Sequence, residues 1–439
     1  MGLVKERWTE SAIGRGMSLG KLGLKLTGSY LGYQFQELFL NEEAKKESQS
    51  RFRRNTCRQL KDELLALKGP MMKLGQALSM QDHILPKEMV EELSALQMQA
   101  PGMHPSLARA QFKASLGKVP EEIFAKFSPE PFAAASLGQV HKATTKDGRL
   151  VAVKIQYPAM ASAIRNDFKL FRSANFAARI PGDVIDEVEQ GILTETDYLH
   201  EAENIRFMHR GLSPLSFVHT PEVLEQWTTN RVLTMTFVEG APLASFLSKK
   251  PDIKMKNELG AHLFELFLFQ IYVIKALHAD PHPGNYLFTA DGEISLVDFG
   301  CVRRFSKKFA DLVECFLKQS WLEGEKSFDK MMRLMWAPGV SVNDKKARAI
   351  LQNEIDLINM VFPCAEGQLM NFADSEIFKR GARRNTDIFL ARLAQPEFPF
   401  YERAEVGLYT YLRQLEASLD TKNILCKVMR KRLAPTRVE

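Results

Sequence analysis

The spacing of apolar positions changes character along the chain. From Gln59 to Gln99 they recur at helical intervals, through Leu60, Leu64 and Leu65, then Met71, Met72 and Leu78, then Leu93 and Leu96. Pro70 and Pro86 cut this stretch into pieces. Pro101 to Pro105 reads as a connector before another short helix, Ser106 to Leu116. A β-type pattern follows. The segment Pro131 to Ala143 ends in β-like alternation, and Lys146-Asp147-Gly148-Arg149 is a hairpin turn signal. Val151-Ala152-Val153-Lys154-Ile155 is the returning strand, and Arg231 to Val238 is a further strand ending at Glu239-Gly240. From about Leu243 onward the pattern is helical, apart from the strand Glu293 to Val297. Residues 1 to about 40 are basic and punctuated by glycines, which disfavour a helix in water, and the densely charged stretch Asn41 to Arg54 reads as a solvated helix or linker. The expected layout is an arm and linker over 1–54, a helical extension over 55–117, a sheet-bearing lobe over 118–240 and a helical lobe over 241–439. That is an α+β, bilobal arrangement.

Composition narrows the function classes. With 439 residues, 45% of them apolar and 26% charged, the chain fits a soluble globular protein. Its net charge of +6 favours phosphate-bearing ligands or an anionic membrane surface. No interleaved basic and aromatic stripe argues for nucleic acid. Five cysteines without a C-x-x-C pair suit a reducing compartment, with Cys301 expected as a small buried thiol. Glu6 and Glu10 count against a transit peptide, and no secretory h-region is visible. The apolar run Leu263 to Leu277 contains Glu265, Gln270 and Lys275 and is too short to span a bilayer, so it is expected as a buried core helix. The expected location is the cytoplasm, or the inner face of a membrane held peripherally.

The chemistry is concentrated in His278-Ala279-Asp280-Pro281-His282-Pro283-Gly284-Asn285, followed by Asp298-Phe299-Gly300. H-x-D-x-x-x-x-N and D-F-G are the two halves of a phosphoryl-transfer site. In-line transfer from ATP needs a carboxylate beside the attacking oxygen, here Asp280. It also needs oxygen ligands for magnesium, here Asn285 and Asp298. Gly300 is expected to permit the backbone turn. A metal-ligand cluster of His278, Asp280 and His282 would leave Asn285 and Asp298 without roles. Upstream, Val151-Ala152-Val153-Lys154 matches the strand whose lysine grips the α- and β-phosphates. The acidic stretch Thr194 to Asn204, read as one helix, supplies candidate carboxylates for that lysine. On such a helix Asp197 and Glu201 are stacked at i,i+4, and Glu195 points about 120° away from Glu201. Two departures from ordinary kinases stand out. Ala133-Ala134-Ala135-Ser136-Leu137-Gly138 replaces a glycine-rich phosphate loop, and its methyl groups restrict close backbone approach. After Gly300 no A-P-E follows at the usual distance, only Ala337-Pro338-Gly339, so the segment that docks a protein substrate is missing.

In these features the chain resembles the UbiB family of atypical kinase-like proteins, near its coenzyme Q biosynthesis branch. The resemblance rests on Lys73-Leu74-Gly75-Gln76, the alanine-rich loop, Glu195-Thr196-Asp197 and the Asp280 to Asn285 loop. It implies a protein-kinase-like fold that binds ATP or ADP with magnesium, with Ala134, Ala135, Ser136, Lys154, Thr236 and Val238 at the nucleotide. It further implies that the helix of Lys73 and Gln76 folds over the site as a lid. Lys73 would then pair with the Glu195–Asp197 motif, leaving Glu201 for Lys154. The implied output is ATPase or small-molecule kinase activity in quinone or isoprenoid-lipid metabolism, with a small or lipidic substrate and peripheral membrane contact.

Overall fold

A computed structural model describes residues 103–135, 137–174, 182–321, 324–336, 340–362, 367–374 and 395–433. The expected lid with Lys73 and Gln76 lies outside the described residues, as do the N-terminal arm and Ser136. The chain divides into two compact units, one comprising residues up to His200 with Leu224–Thr234, the other Glu201–Val223 with Met235 onward.

In the first unit, helix α1 (Pro105–Leu116) is fixed at both ends by local chemistry. Pro105 occupies its first turn, the His104 side chain accepts from the Ser106 N–H, and Gly117 closes it at φ 74°. Its buried Phe112 meets Phe124 and Phe127 with ring centroids 5.9 and 6.2 Å apart, and Trp227 stands edge-on to Phe124 at 5.3 Å. Each such pair contributes about 0.5–1.5 kcal/mol beyond area burial. The cluster holds α1, the single turn α2 (Pro120–Ile123) and strand β1 (Phe124–Phe127) together. Strands β3 (Gly138–Thr145), β4 (Leu150–Gln156) and β6 (Val232–Thr236) complete a sheet in the order β1-β3-β4-β6, with β2 (Ala133–Ala135) paired to β3. Strand β4 has a neighbour on either side and is buried from Val151 to Gln156, which accounts for its unbroken apolar run.

Two polar side chains are folded into this sheet as a matched pair. The His141 Nδ1–H donates to the Ser128 carbonyl at 2.8 Å, so its Nε2 accepts from the Gln139 amide, also at 2.8 Å. Gln139 in turn accepts from the Met103 N–H at 2.7 Å. Burial lowers the His141 pKa below its ordinary value, partly offset by the Ser128 bond.

Helices α3 (Met160–Ala174) and α4 (Gly182–Thr194) follow. The acidic stretch departs from expectation here. Helix α4 stops at Thr194, Glu195 and Thr196 form a turn, and α5 (Tyr198–Leu212) starts afresh. Asp197 is the reason: its carboxylate accepts from the Leu199 N–H at 3.0 Å, the local bond by which an Asp opens a helix. Glu195 and Asp197 are therefore not on the helix of Glu201, and the helical angle expected between them does not apply.

In the second unit, α7 (Ile253–Phe269) begins at Asp252, whose carboxylate accepts from the Met255 N–H at 2.8 Å. From Leu263 to Phe269 every residue is buried, as the apolar run implies. Its one carboxylate, Glu265, is 3% exposed and is met by Lys427 at 2.6 Å and Lys431 at 2.9 Å from α12 (Thr421–Leu433). The run is not helical to its end. A π-helical turn (Gln270–Ile274) closes on Lys275 in the left-handed region at φ 56°, and strand β7 (Ala276–His278) follows. The expected strand Glu293 to Val297 is present as Ile294–Leu296, while the other short strands here were not expected. β5 (Val218–His219), β9 (Ile294–Leu296) and β8 (Tyr286–Phe288) pair in that order, and β10 (Val302–Arg304) pairs with β7. Two- and three-residue strands carry too little alternation to read from sequence. Helices α8 (Lys307–Trp321), α9 (Gly324–Met335), α10 (Lys345–Val361) and α11 (Phe398–Leu415) make up the rest with α12 and the short α6 (Leu243–Ser248). Among the described residues no helix is long and apolar enough to cross a membrane.

Two outcomes follow from the sheet. His141 is held neutral when folded but protonates freely when unfolded below about pH 6.5, so stability is intact above that pH and falls as pH drops through it. Thermal melts of the chain and of His141→Gln from pH 7.5 to 5 should show a shallower loss in the variant; parallel curves would remove His141 as a cause. Gly138 faces a packing limit, because a Cβ there would stand 2.4 Å from the Ile155 carbonyl oxygen and 2.7 Å from the Tyr198 hydroxyl. Gly138→Ala should therefore lower Tm by roughly 3–10 °C. An unchanged melt would show that the β3–β4 contact can relax freely.

Candidate phosphoryl-transfer site

In the first unit Lys154 is 5% exposed on β4, in register with Val140 of β3. Its ammonium lies over the Tyr198 ring, 5.1 Å from the centroid, a cation–π contact that the sequence did not suggest. The alanine-rich segment is not a loose loop but a strand: Ala133, Ala134 and Ala135 pair with Val140, Gln139 and Gly138. Its terminal glycine packs closely against Ile155, where a Cβ would meet the carbonyl oxygen. The Glu195–Asp197 turn is anchored from the sheet, since the Gln156 amide donates to the Thr196 carbonyl at 2.7 Å. Glu195 is half-buried and Asp197 exposed.

Glu201 belongs to the second unit, one turn beyond Tyr198 along α5, and is 4% exposed. Thr236 ends β6, its N–H and hydroxyl both bonded to the Glu222 backbone at 2.9 and 2.8 Å, while Val238 lies beyond the strand.

The loop carrying Asp280 and Asn285 leaves β7 at His278 and enters β8 at Tyr286. It brings Asp280 and Asn285 together as expected: the Asn285 Nδ2 donates to the Asp280 Oδ2 at 2.8 Å. With its nitrogen so committed, the Asn285 amide oxygen accepts no hydrogen bond among the described residues. The other carboxylate oxygen of Asp280, Oδ1, accepts from the Arg403 guanidinium of α11. Arg403 and Asp280 are 27% and 28% exposed. Farther along the same helix, the Tyr411 hydroxyl donates to the Pro281 carbonyl at 3.1 Å, and Gly407 lies against Pro281. Sequence reasoning expected helix here but missed its contact with the Asp280 loop. Residues 403, 407 and 411 share a helical face, but nothing local ties that face to a loop more than a hundred residues away.

Asp298 follows β9, and the Val297 N–H donates to the Asn285 carbonyl at 3.0 Å, tying the two metal-ligand candidates to one backbone ladder. The left-handed backbone expected to need Gly300 is at Asp298 itself, φ 63°. Gly300 instead gives its N–H to the Asp298 Oδ1 at 3.2 Å. The Asn204 amide of α5 donates to the Phe299 carbonyl at 3.0 Å. Neither histidine of the loop is placed as a metal ligand. The His278 Nε2–H donates to the Asp298 carbonyl at 2.9 Å, and the His282 Nδ1 accepts from the Gly284 N–H at 3.1 Å. Burial holds the His278 pKa below its ordinary value, against the opposing charge of Asp280. Cys301, expected to be buried, is half-buried, and its carbonyl accepts from the Ala279 N–H at 2.9 Å.

The carboxylate of Asp298 and the amide oxygen of Asn285 are hard oxygen donors and fit magnesium. The segment after Gly300 is short and pinned. β10 pairs with β7, the Arg304 guanidinium meets Glu203 at 2.9 Å and lies over the Phe207 ring, and Arg303 stacks on Phe400. Helix α8 begins at Lys307.

Known proteins resemble this chain in sequence and fold. The sequence profile of the ABC1 atypical kinase-like domain matches residues 95–332, just over half of the chain. AarF domain-containing protein kinase 1 of Mus musculus is 32% identical over 292 residues, 63% of this chain and 55% of its own. A probable protein kinase UbiB of Azotobacter vinelandii is 28% identical over 393 residues, 84% of this chain and 70% of its own. Among solved structures, the complex of Rv3197 with erythromycin from Mycobacterium tuberculosis matches with a TM-score of 0.56 and 26% identity, over 89% of this chain and 100% of that one. The chain spans about half or less of the length of several curated relatives that it matches. The kinase-like α+β fold and these matches agree: the chain belongs to the ABC1 atypical kinase-like family, with UbiB and AarF-domain proteins among its relatives.

Proposed function

We propose that this protein binds Mg-ATP and transfers or hydrolyses its terminal phosphate, serving quinone or isoprenoid-lipid metabolism at a membrane surface. The observation that carries the reading is the Asp280–Asn285 bond, which orients a carboxylate and leaves an amide oxygen without a hydrogen bond among the described residues on one short loop. Asp280 orients the attacking hydroxyl or water and accepts its proton. Lys154 holds the nucleotide phosphates, and Glu201 is its proposed carboxylate partner. Asn285 and Asp298 would hold magnesium, which when bound neutralises charge on the phosphates. The acceptor is small or lipidic rather than a protein, because the few residues between Gly300 and α8 are consumed by a strand pair and two arginine contacts. The quinone-lipid assignment draws on the relatives named UbiB.

The decisive measurement is ATP turnover with and without anionic liposomes and a phenolic quinone precursor. Stimulation by both supports the proposal. Phosphate appearing on a protein substrate would make it a protein kinase, and nucleotide binding without turnover would make it a scaffold.

Asp298→Asn separates metal binding from folding. Asparagine tolerates the left-handed backbone at φ 63°, so the variant should melt near the parent temperature while Mg-dependent turnover is lost. Asp298→Val should instead destabilise the fold by about 1–3 kcal/mol, since a β-branched residue resists that conformation. Unchanged turnover in Asp298→Asn would overturn the metal assignment.

A further inference from the structure

We infer that α11 is part of the catalytic apparatus, a clamp on the catalytic loop, with Arg403 the residue that positions Asp280. The inference rests on the phosphoryl-transfer reading above. Each oxygen of the Asp280 carboxylate has its own donor from a different element: Arg403 on Oδ1, and Asn285 on Oδ2 at 2.8 Å. Two donors from opposite ends fix the rotation of the carboxyl group, which one donor would leave loose. The arrangement still permits chemistry. Each carboxylate oxygen offers about two acceptor sites, so an acceptor hydroxyl can bond to the same group without displacing Arg403. Arginine keeps its charge at any working pH, so the hold does not titrate away.

Two further contacts place the helix rather than the single side chain. At one-turn spacing from Arg403, Gly407 leaves no room for a side chain: a Cβ would stand 2.2 Å from the Pro281 Cβ and 2.5 Å from its Cγ. A turn later, the Tyr411 hydroxyl donates to the Pro281 carbonyl at 3.1 Å. Burial raises the Tyr411 pKa, so the phenol stays a proton donor. Asp280 and Pro281 are thus held by one helical face at three successive turns. An arginine serving only a surface ion pair would not need a glycine one turn away to bring the loop within reach.

The test uses the full chain and reads kcat for ATP turnover beside the Kd for Mg-ATP. Arg403→Ala should lower kcat about 100-fold, the cost of a misplaced catalytic group, with Kd unchanged. Arg403→Lys, which keeps the charge but not the planar fork, should fall between the two. Gly407→Ala should lower kcat while leaving Kd unchanged, because it pushes the loop away without touching a charge. If Arg403 acts through Asp280, the double variant Asp280→Asn with Arg403→Ala is no slower than Asp280→Asn alone. Should Arg403→Ala fail to fold, Arg403→Lys and Gly407→Ala carry the test. Parent kcat in the folded arginine variants with an inactive Asp280→Asn would overturn the clamp and leave phosphoryl transfer standing. Additive losses in the double variant would also overturn it. Parent turnover in Asp280→Asn would overturn both.

Discussion

The second unit depends on one buried neutral imidazole. His278 is 1% exposed, with Tyr286 and Phe299 edge-on to it at 5.4 and 5.3 Å. Its backbone N–H is taken by the Gln270 side chain at 2.7 Å, and its ring N–H holds the carbonyl of Asp298. That carbonyl belongs to the residue carrying the left-handed strain, about 1–3 kcal/mol, which persists only where the surroundings over-determine it. The bonds from Gly300 to the Asp298 side chain and from Asn204 to Phe299 supply the rest of that constraint. With its Nε2 as donor, the ring leaves Nδ1 as a bare acceptor with no hydrogen-bond partner among the described residues. Charging it would place an unpaired proton among aromatic rings. Burial therefore keeps the ring neutral, and the bond to the Asp298 carbonyl sets its tautomer.

Much of this was legible in the sequence because the chemistry is local. Asp280 and Asn285 are five residues apart, so spacing alone brought them together. Lys154 was legible because an apolar strand ending in a lysine declares both its burial and its charge. What failed to show was either very short or very distant. The strands β7, β8 and β10 have three residues each, too few for alternation to register. The break at Asp197 was hidden because a helix that stops and restarts within four residues keeps an acidic, helix-like composition. Gly138 was given no role of its own, and only the carbonyl of Ile155 across the strand pair reveals its steric one. Arg403, Gly407 and Tyr411 form a visible helical face, but its target is set by tertiary packing, which no local pattern encodes.

The apolar helix α7 shows how a membrane-like run is kept inside a folded unit. Its carboxylate is not an accident of composition. Glu265 is a buried charge whose burial disfavours ionisation, yet the two lysines of α12 outweigh that and hold its pKa below the ordinary carboxylate range. Removing one partner of such a group is far more costly than never having made it. The π-helical turn at the end of α7 then swings the chain into β7 and so sets where the Asp280 loop starts.

The partners of Asp280 and Glu265 have a consequence for synthesis. Arg403 lies 123 residues after Asp280, and Lys431 lies 166 residues after Glu265. At about 5–20 residues per second, the ribosome reaches Arg403 roughly 10 s after it has made the Asp280 loop. For that interval the loop's carboxylate lacks its guanidinium, and the helix feeding the loop carries an uncompensated charge in an apolar face. The nascent second unit therefore cannot hold the geometry of the Asp280 loop piecemeal. It gains that geometry late, when the final helices dock, and until then an apolar helix remains exposed to whatever chaperones or membranes lie near the ribosome.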